Sequence, residues 1–134
     1  MVKLTEEMKE AYSKVKIFPV ATSSKEGTPN VVPMGFCVLM DDETIWLADN
    51  FMVKTLANIQ ENPQVAVYVW GPGTGGCFQI KGDAEVKTEG PDYEKMREMV
   101  HSAKPGLPAK SLVVVKITDV FQCSPGPEAG KKLL

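Results

Sequence analysis

The apolar and polar residues of this chain alternate, over most of its length, with the two-residue period that is typical of β-strands. The alternation is clearest at Val65, Val67 and Val69. We predict strands over residues 17–23, 30–40, 44–49, 64–70, 77–87 and 111–123. Gly27 is expected to adopt a positive φ in a tight turn, and Gly82 is expected to bend its strand. Strands joined by short hairpins favour an antiparallel barrel or sandwich.

Three shorter segments have the helical period instead. A first helix is predicted after Thr5, a residue type that caps helix N-termini. Two more helices are predicted over residues 52–61 and from Gly90 to about residue 102. We therefore expect one domain over residues 1–123, followed by a C-terminal tail, residues 124–134, in which prolines and glycines weaken regular structure. The tail is expected either to be mobile or to reach a partner subunit.

Composition and charge narrow the class of protein. The 134 residues, 43% of them hydrophobic, are enough to bury one core. A net charge of −2 provides no broad cationic field, so we expect no nucleic-acid partner. No apolar run approaches the roughly 20 residues of a membrane-spanning helix. The N-terminus also lacks the apolar core of a signal peptide. We expect a cytoplasmic protein with no membrane partner.

Few side chains suggest a metal site or an acid/base pair. The three cysteines, Cys37, Cys77 and Cys123, are odd in number and far apart, so they are expected to be small buried residues and not disulfides or zinc ligands. The only histidine, His101, is expected to be exposed or to pack on its neighbours. Residues 41–43 are acidic but consecutive, which is typical of a turn. We predict no metal ligand and no catalytic residue.

A glycine-rich segment has the residue spacing of a dinucleotide-binding fingerprint but not its predicted secondary structure. Gly71, Gly73 and Gly76 satisfy the spacing GxGxxG and follow a predicted strand. The fingerprint requires that its last glycine open a helix facing the pyrophosphate, whereas residues 77–81 have the pattern of a strand. We interpret the segment as a hairpin loop.

A lysine and a threonine open the second predicted helix, directly after a strand. The first backbone N–H groups of a helix lack intrahelical partners, and the helix dipole favours negative charge there. Lys54 and Thr55 would add a charge and a hydrogen bond for a phosphate monoester. On residue types alone, a solvated surface explains such a pair better, because exposed charged residues are common. Both interpretations stay open at this point.

The order of motifs from about Tyr12 to Gln122 resembles the FMN-binding split barrels related to pyridoxine 5′-phosphate oxidase. The matching segments are 29–36, 45–48, 54–55 and 62–63. Segments 71–75 and 88–91 are most similar to the small bacterial FMN-binding protein of that family. The resemblance implies a mainly β fold, an antiparallel split barrel with short helices, that binds FMN.

The resemblance also implies roles for individual residues. Lys54 and Thr55 would bind the FMN phosphate. The flavin would be lined by Leu47, Ala48, Asp49 and Asn50. Main-chain contacts along the ring would come from Pro33, Met34, Gly35 and Phe36. The family's flavin lies at a subunit interface, which implies a homodimer.

Aromatic residues and a missing arginine further define what the resemblance implies. In the predicted dimer, Phe51 and Trp46 would be covered by the second subunit. Trp46 and Trp70 could also stack on a flavin, although such residues more often fill a barrel or an interface. The phosphate-binding arginine of the true oxidases is not evident, so we do not expect oxidation of the vitamin phosphate.

The expected chemistry belongs to the cofactor. FMN accepts a hydride or single electrons, so no catalytic side chain has to be visible in the sequence. We expect an oxidoreductase similar to flavin reductases, or an electron carrier, acting on a small donor or acceptor. One alternative is a flavin store or sensor without turnover. The other is a protein of the same barrel that uses a deazaflavin or haem.

Overall fold

The computed structural model describes residues 2–134, which form seven strands and three short helices. The strands, in chain order, are β1 (Phe18–Ser23), β2 (Pro29–Met34), β3 (Cys37–Leu39), β4 (Thr44–Asp49), β5 (Gln64–Val69), β6 (Phe78–Lys87) and β7 (Ser111–Gln122). The helices are α1 (Glu6–Ser13), α2 (Lys54–Glu61) and α3 (Pro91–Ala103). The predicted mainly β fold with short helices is confirmed.

All seven strands belong to one antiparallel sheet in the order β2-β1-β5-β6-β7-β4-β3. The sheet curls into the half-barrel of a split barrel. Strands β2 and β3 follow each other in the chain but lie at opposite edges of the sheet. Only Gly35 and Phe36 separate them. The short connection therefore crosses the opening between the two edges of the curled sheet.

That crossing corrects the prediction of one strand over residues 30–40. Residues 29–34 pair with β1, whereas residues 37–39 pair with β4 at the other edge. A single regular strand cannot follow both edges, so the ladder breaks at Gly35. The sequence pattern did not indicate the break, because apolar residues occur both before and after it in the chain.

Strand β6 carries a bulge at the predicted glycine. The register with β7 shifts between Lys81 and Gly82. A Cβ atom at Gly82 would lie 2.5 Å from Val115 Cγ1 and 2.7 Å from the Lys116 carbonyl oxygen. Only glycine fits this close approach, so the predicted bend is confirmed.

Two apolar clusters hold the sheet. The larger one fills the inside of the curl, where Val20, Ile45 and Ile80 are fully buried. The smaller one lies under α3, where Trp46 packs with Met96, and other members are Ala48, Val100, Ala109, Leu112 and Val114. Helix α3 thus covers the outer face of β4, which is why every residue of that strand is buried.

The helix boundaries follow from local hydrogen bonds. The Thr5 hydroxyl accepts from the Met8 N–H at 3.2 Å, as expected for the N-cap of α1. Helix α2 begins at Lys54, two residues later than predicted. The Met52 N–H donates instead to the Asp49 carboxylate at 3.0 Å, which keeps this residue in the loop before the helix.

The segment after the glycine loop is a strand, as predicted. Strand β6 begins at Phe78, and the residues after Gly76 form no helix. Gly73 and Gly75 have φ values of 87° and 75°, which suit a loop made of glycines. The segment therefore lacks the helix that a dinucleotide-binding fingerprint requires. The prediction of a hairpin loop, between β5 and β6, is confirmed.

Residues 124–134 fold back along β7. The Gln122 N–H donates to the Lys131 carbonyl at 2.8 Å, and the Leu133 N–H donates to the Val120 carbonyl at 2.7 Å. The C-terminal segment thus runs beside the last residues of β7. Among residues 2–134, no helix combines the length and the apolar character needed to cross a membrane.

Candidate functional site

A cleft of about 370 Å³ opens where strand β2 faces the loop that leads into α2. Its walls are polar at one end, at Lys54 and Thr55, and largely apolar elsewhere. The complete lining is Asn30, Val32, Pro33, Met34, Gly35, Phe36, Ala48, Asn50, Phe51, Met52, Val53, Lys54 and Thr55. The size is within the range of small-molecule sites.

The polar end of the cleft is the first turn of α2. Lys54 is exposed, and within residues 2–134 its ammonium forms no ion pair with a carboxylate. The N-cap residue, Val53, has no side chain that can accept from the first N–H groups of the helix. These amides, the helix dipole and the Lys54 charge all favour an anion at this end.

A network of amides and hydroxyls fixes Thr55. This residue is buried, and its Oγ1 accepts from Asn30 Nδ2 at 3.0 Å. Asn30 Nδ2 also donates to Thr22 Oγ1 at 3.2 Å, and Asn58 Nδ2 donates to the same oxygen at 3.0 Å. Because the Thr55 hydroxyl accepts from Asn30, its proton is free for an acceptor in the cleft.

The loop between β4 and α2 is held by a buried carboxylate. Asp49 is 1% exposed, and its two oxygens accept from the Met52 N–H and from the Ser111 hydroxyl, the latter at 2.9 Å. The Lys110 ammonium lies 3.7 Å from it. These contacts occupy the carboxylate, so Asp49 positions the loop and does not face the cleft.

The next residue, Asn50, contributes to the cleft and is held from behind. Its Oδ1 accepts from the Ala109 N–H at 2.9 Å. Ala109 has a φ of 43°, the only positive value at a non-glycine residue among residues 2–134. With the amide oxygen engaged, the Asn50 NH₂ group remains to donate into the cleft.

The structure brings together most of the residues predicted for the cofactor. Every member of the predicted set lines the cleft except Leu47 and Asp49. Leu47 is fully buried in the larger core cluster, because alternate residues of β4 point inward.

Five lining residues were not predicted. They are Asn30, Val32, Phe51, Met52 and Val53. The period of β2 could have indicated the first two, since they share a face with Met34. The remaining three depend on the exact start of α2, which the sequence pattern placed two residues too early.

The rim of the cleft is apolar and open to solvent. Phe51 is 75% exposed and Val53 is 78% exposed. Trp46, which we expected at a subunit interface, is instead buried under α3, where Lys95 lies 6.0 Å from its ring centre. Trp70 is exposed and lines a second groove, of about 540 Å³, that shares no residue with the first.

Other titratable groups lie away from the cleft. His101 Nε2 is 2.8 Å from the Leu107 carbonyl oxygen, and this residue lines neither groove. The carboxylates of residues 41–43 lie within 4.8 Å of one another in a turn. Burial raises the pKa of the Cys37 thiol to about 12, although the nearby Tyr12 hydroxyl lowers it in part. Cys37 is therefore an unreactive core residue, as expected.

Comparison with known proteins adds an independent observation. A family model described as pyridoxamine 5′-phosphate oxidase matches residues 4–124. An uncharacterized protein of Methanocaldococcus jannaschii is 45% identical over 98% of this chain and 88% of its own length.

Solved structures agree with that match. The crystal structure of HupZ from Group A Streptococcus superposes with a TM-score of 0.80 and 28% identity, over 95% of this chain and 99% of that one. A putative pyridoxamine 5′-phosphate oxidase from Lactobacillus delbrueckii gives a TM-score of 0.75 and 25% identity, over 90% of this chain and 95% of that one.

Three more distant structures share the fold alone, at 16 to 20% identity and TM-scores of 0.67 to 0.70. They are an FMN-binding protein from Syntrophomonas wolfei, an F420 reductase and the haem storage protein HutZ from Vibrio cholerae. They cover 87 to 90% of this chain and 88 to 98% of their own.

Proposed function

The chain belongs to the pyridoxamine 5′-phosphate oxidase family, and from that premise we propose that its cleft binds FMN for electron transfer to or from a small molecule. The observation that carries the proposal is the pairing of two features in one cleft. Lys54 and Thr55 lie at the start of α2, where a cation and free helix amides favour an anion, and residues 33–36 offer main chain along an apolar wall. FMN combines the same two features, a phosphate and a flat ring.

The phosphate end suits a monoester with two negative charges. The Lys54 ammonium would pair with it, and the Thr55 proton would complete a charge-assisted hydrogen bond. Asn30 supports this arrangement from behind because it donates to Thr55 Oγ1. The backbone N–H groups of the first helical turn add donors that need no side chain.

The ring end suits the flavin. Met34 is buried beside Gly35 and Phe36, and Ala48 closes the wall from β4. Gly35 has no side chain, which leaves its backbone open to a flat ring, and a Cβ atom added there would meet only Ile17 Cδ1, at 3.7 Å. The Asn50 NH₂ group would add a polar donor to the same cleft.

FMN would supply the redox chemistry, and the protein would set access, orientation and potential. In this account no side chain of the chain acts as a nucleophile or as an acid or base. The residues described above bind and orient the cofactor and limit the entry of water. The proposal is therefore an FMN-dependent oxidoreductase or electron carrier, located in the cytoplasm.

A homodimer is part of the proposal. Phe51 and Val53 present large apolar side chains to solvent at the cleft rim. Exposed apolar residues beside a cleft are typical of a binding surface. A second copy would cover this rim and form the outer wall of the flavin site, giving two equivalent sites related by a two-fold axis.

A haem in the same cleft is less well supported. The only histidine of the chain, His101, lies on α3 with its Nε2 beside the Leu107 carbonyl. A haem in the cleft would thus have no histidine ligand from its own chain. A deazaflavin would fit the same apolar wall, and only its spectrum separates it from FMN.

The absorbance spectrum of the purified full-length chain tests the proposal. We expect flavin bands in the visible region, either as purified or after incubation with FMN, followed by bleaching when a reduced nicotinamide is supplied. Bleaching without net turnover would identify a carrier and not an enzyme. A Soret band or deazaflavin absorption, with no uptake of FMN, would contradict the proposal.

A further inference from the structure

Two cysteines face each other at the end of the β6–β7 ladder. The last regular pair there is Phe78 with Gln122, so the next position places Cys77 opposite Cys123. The Cys123 N–H donates to the Cys77 carbonyl at 3.2 Å, which extends the ladder by one hydrogen bond. Directly opposite residues of antiparallel strands project from the same face. The two thiols therefore lie on one side of the sheet.

The backbone spacing of this pair suits a disulfide. Opposite residues in a hydrogen-bonded antiparallel pair have Cα atoms about 5.5 Å apart. Disulfide-linked residues have Cα atoms roughly 4.4–6.8 Å apart. The Cys77 N–H donates to Ser124 Oγ at 2.9 Å and not to its cross-strand partner. A side-chain contact thus replaces one of the two backbone hydrogen bonds that a regular pair would form here.

The thiols lie on the outer face of the sheet. Phe78 and Ile80 point into the core, so residues 77 and 79 point outward. Both cysteines are free and partly exposed, so the prediction that they are buried is wrong for this pair. A small oxidant can reach them from solvent.

The side chains that contact the two sulfur atoms are polar and uncharged. Gln79 Nε2 lies 3.3 Å from Cys123 Sγ, and Ser124 Oγ lies 3.8 Å from Cys77 Sγ. Tyr68 stands opposite Gln79 on β5. The pKa of Tyr68 is raised to about 12, first by its interaction with the Cys77 side chain and then by burial and by the charges of Cys77 and Cys123. A phenol is neutral at physiological pH even at its ordinary pKa, so Tyr68 adds no charge beside the two thiols.

We propose that Cys77 and Cys123 form a reversible intramolecular disulfide by exchange with low-molecular-weight disulfides. One cysteine thiolate attacks a sulfur of the small disulfide, which forms a mixed disulfide and releases one small thiol. The second cysteine loses its proton to solvent and attacks the protein sulfur of the mixed disulfide. That S–S bond breaks, the Cys77–Cys123 bond forms, and a second small thiol leaves. The two electrons lost by the cysteines reduce the small disulfide to two thiols.

The bond would join two segments that already touch. Cys77 ends the glycine loop of residues 71–76, and Cys123 precedes the C-terminal segment of residues 124–134. A Cβ atom at Gly76 would lie only 2.9 Å from Ser124 Oγ, which shows how closely these segments pack. Oxidation would thus fix the glycine loop to the base of the C-terminal segment.

The test uses the full-length chain equilibrated with oxidised glutathione. Free thiols are then blocked with N-ethylmaleimide, the protein is digested without reductant, and the peptides are analysed by mass spectrometry. We expect one cross-linked peptide pair, joined through Cys77 and Cys123. Cys37 should be alkylated only after unfolding, because it is buried and its thiol has a raised pKa.

Variants at each of the three cysteines show which pair forms the bond. Cys37→Ala should form the same cross-link, whereas Cys77→Ser and Cys123→Ser should each stop at one glutathione adduct. Oxidation should raise the thermal midpoint by roughly 5–10 °C in the wild type and in Cys37→Ala only, and a reductant should reverse the shift. The proposal is overturned if both cysteines carry separate adducts, stay reduced in excess oxidised glutathione, or link two chains.

Discussion

Hydrogen bonds from two asparagines fix the threonines behind the polar end of the cleft. Asn30 uses its amide to donate to Thr22 and Thr55, and Asn58 donates to the same Thr22 oxygen from the other side. Only Asn30 also lines the cleft. The two asparagines therefore form a matched pair, with one near the proposed phosphate and one outside its site.

We predict that Asn30→Asp weakens FMN binding on the order of tenfold, because the new carboxylate repels the phosphate and no longer donates to Thr55. Asn58→Asp should change FMN affinity much less. Flavin fluorescence titration of both variants measures the difference. A similar loss in the two variants would show that Asn30 acts on the fold and not on the phosphate.

The buried Cys37 thiol should make the folded protein less stable at alkaline pH. Its pKa is raised from 9.0 to about 12 by burial. Between these values the unfolded chain loses a proton that the folded chain keeps. Stability is therefore complete below about pH 9 and falls as the pH rises, by up to about 1.4 kcal/mol per unit. Tyr12, whose pKa burial also raises, adds to the loss at higher pH.

Urea unfolding at about pH 8 and about pH 10.5 measures this dependence. The Cys37→Ala variant is less stable at neutral pH but should lose less stability between the two pH values than the wild type. Tyr12 remains in the variant and accounts for what is left. Equal losses in the two proteins would show that the Cys37 thiol does not stay protonated in the folded state.

At the scale of elements, strand β6 depends on its glycine bulge. Gly82→Ala would place a Cβ atom 2.7 Å from the Lys116 carbonyl oxygen of β7. We expect a loss of roughly 1–3 kcal/mol in the free energy of unfolding, because backbone atoms cannot move aside as a flexible side chain can. Gly106→Ala is the control, since nothing lies within 4 Å of its added Cβ. Chemical denaturation in which the two variants match would refute the close approach.

The sequence predicted the elements better than their connections. Alternation and turn residues located six strand segments and three helices, and the Thr5 cap and the Gly82 bend followed from local chemistry. The division of residues 30–40 into β2 and β3 did not, because it results from pairing with β1 at one edge of the sheet and β4 at the other. Pairing across the sheet depends on the whole chain and leaves no local pattern.

The residues of the candidate site also differ in whether a local pattern could predict them. Lys54 and Thr55 could be predicted because a helix start has a local pattern and because the family resemblance assigned them a role. The placement of Asp49 could not, since its carboxylate turns away from the cleft to bind the Ser111 hydroxyl, which is distant in sequence. Such contacts appear only once the strands are paired.

At the scale of the whole molecule, the proposed dimer and the proposed cofactor site are linked. If a second copy covers Phe51 and Val53 and completes the flavin site, then FMN must favour the dimer by mass action. We expect sedimentation across a dilution series to show dimers that persist to lower concentration with FMN than without it. A monomer that binds FMN with full affinity, where no dimer remains, would exclude a shared site.

The central claim is that this cleft recognises FMN by its phosphate at the start of α2. The most direct measurement is a titration of the wild type and of Lys54→Ala with FMN and with riboflavin, which lacks the phosphate. Lys25→Ala, an exposed lysine outside the cleft, serves as the control. We predict that Lys54→Ala weakens FMN binding on the order of 1.5–3 kcal/mol, about tenfold to a hundredfold in Kd, and leaves riboflavin unchanged. Equal losses for the two ligands, or an FMN affinity no higher than that for riboflavin in the wild type, would contradict the claim.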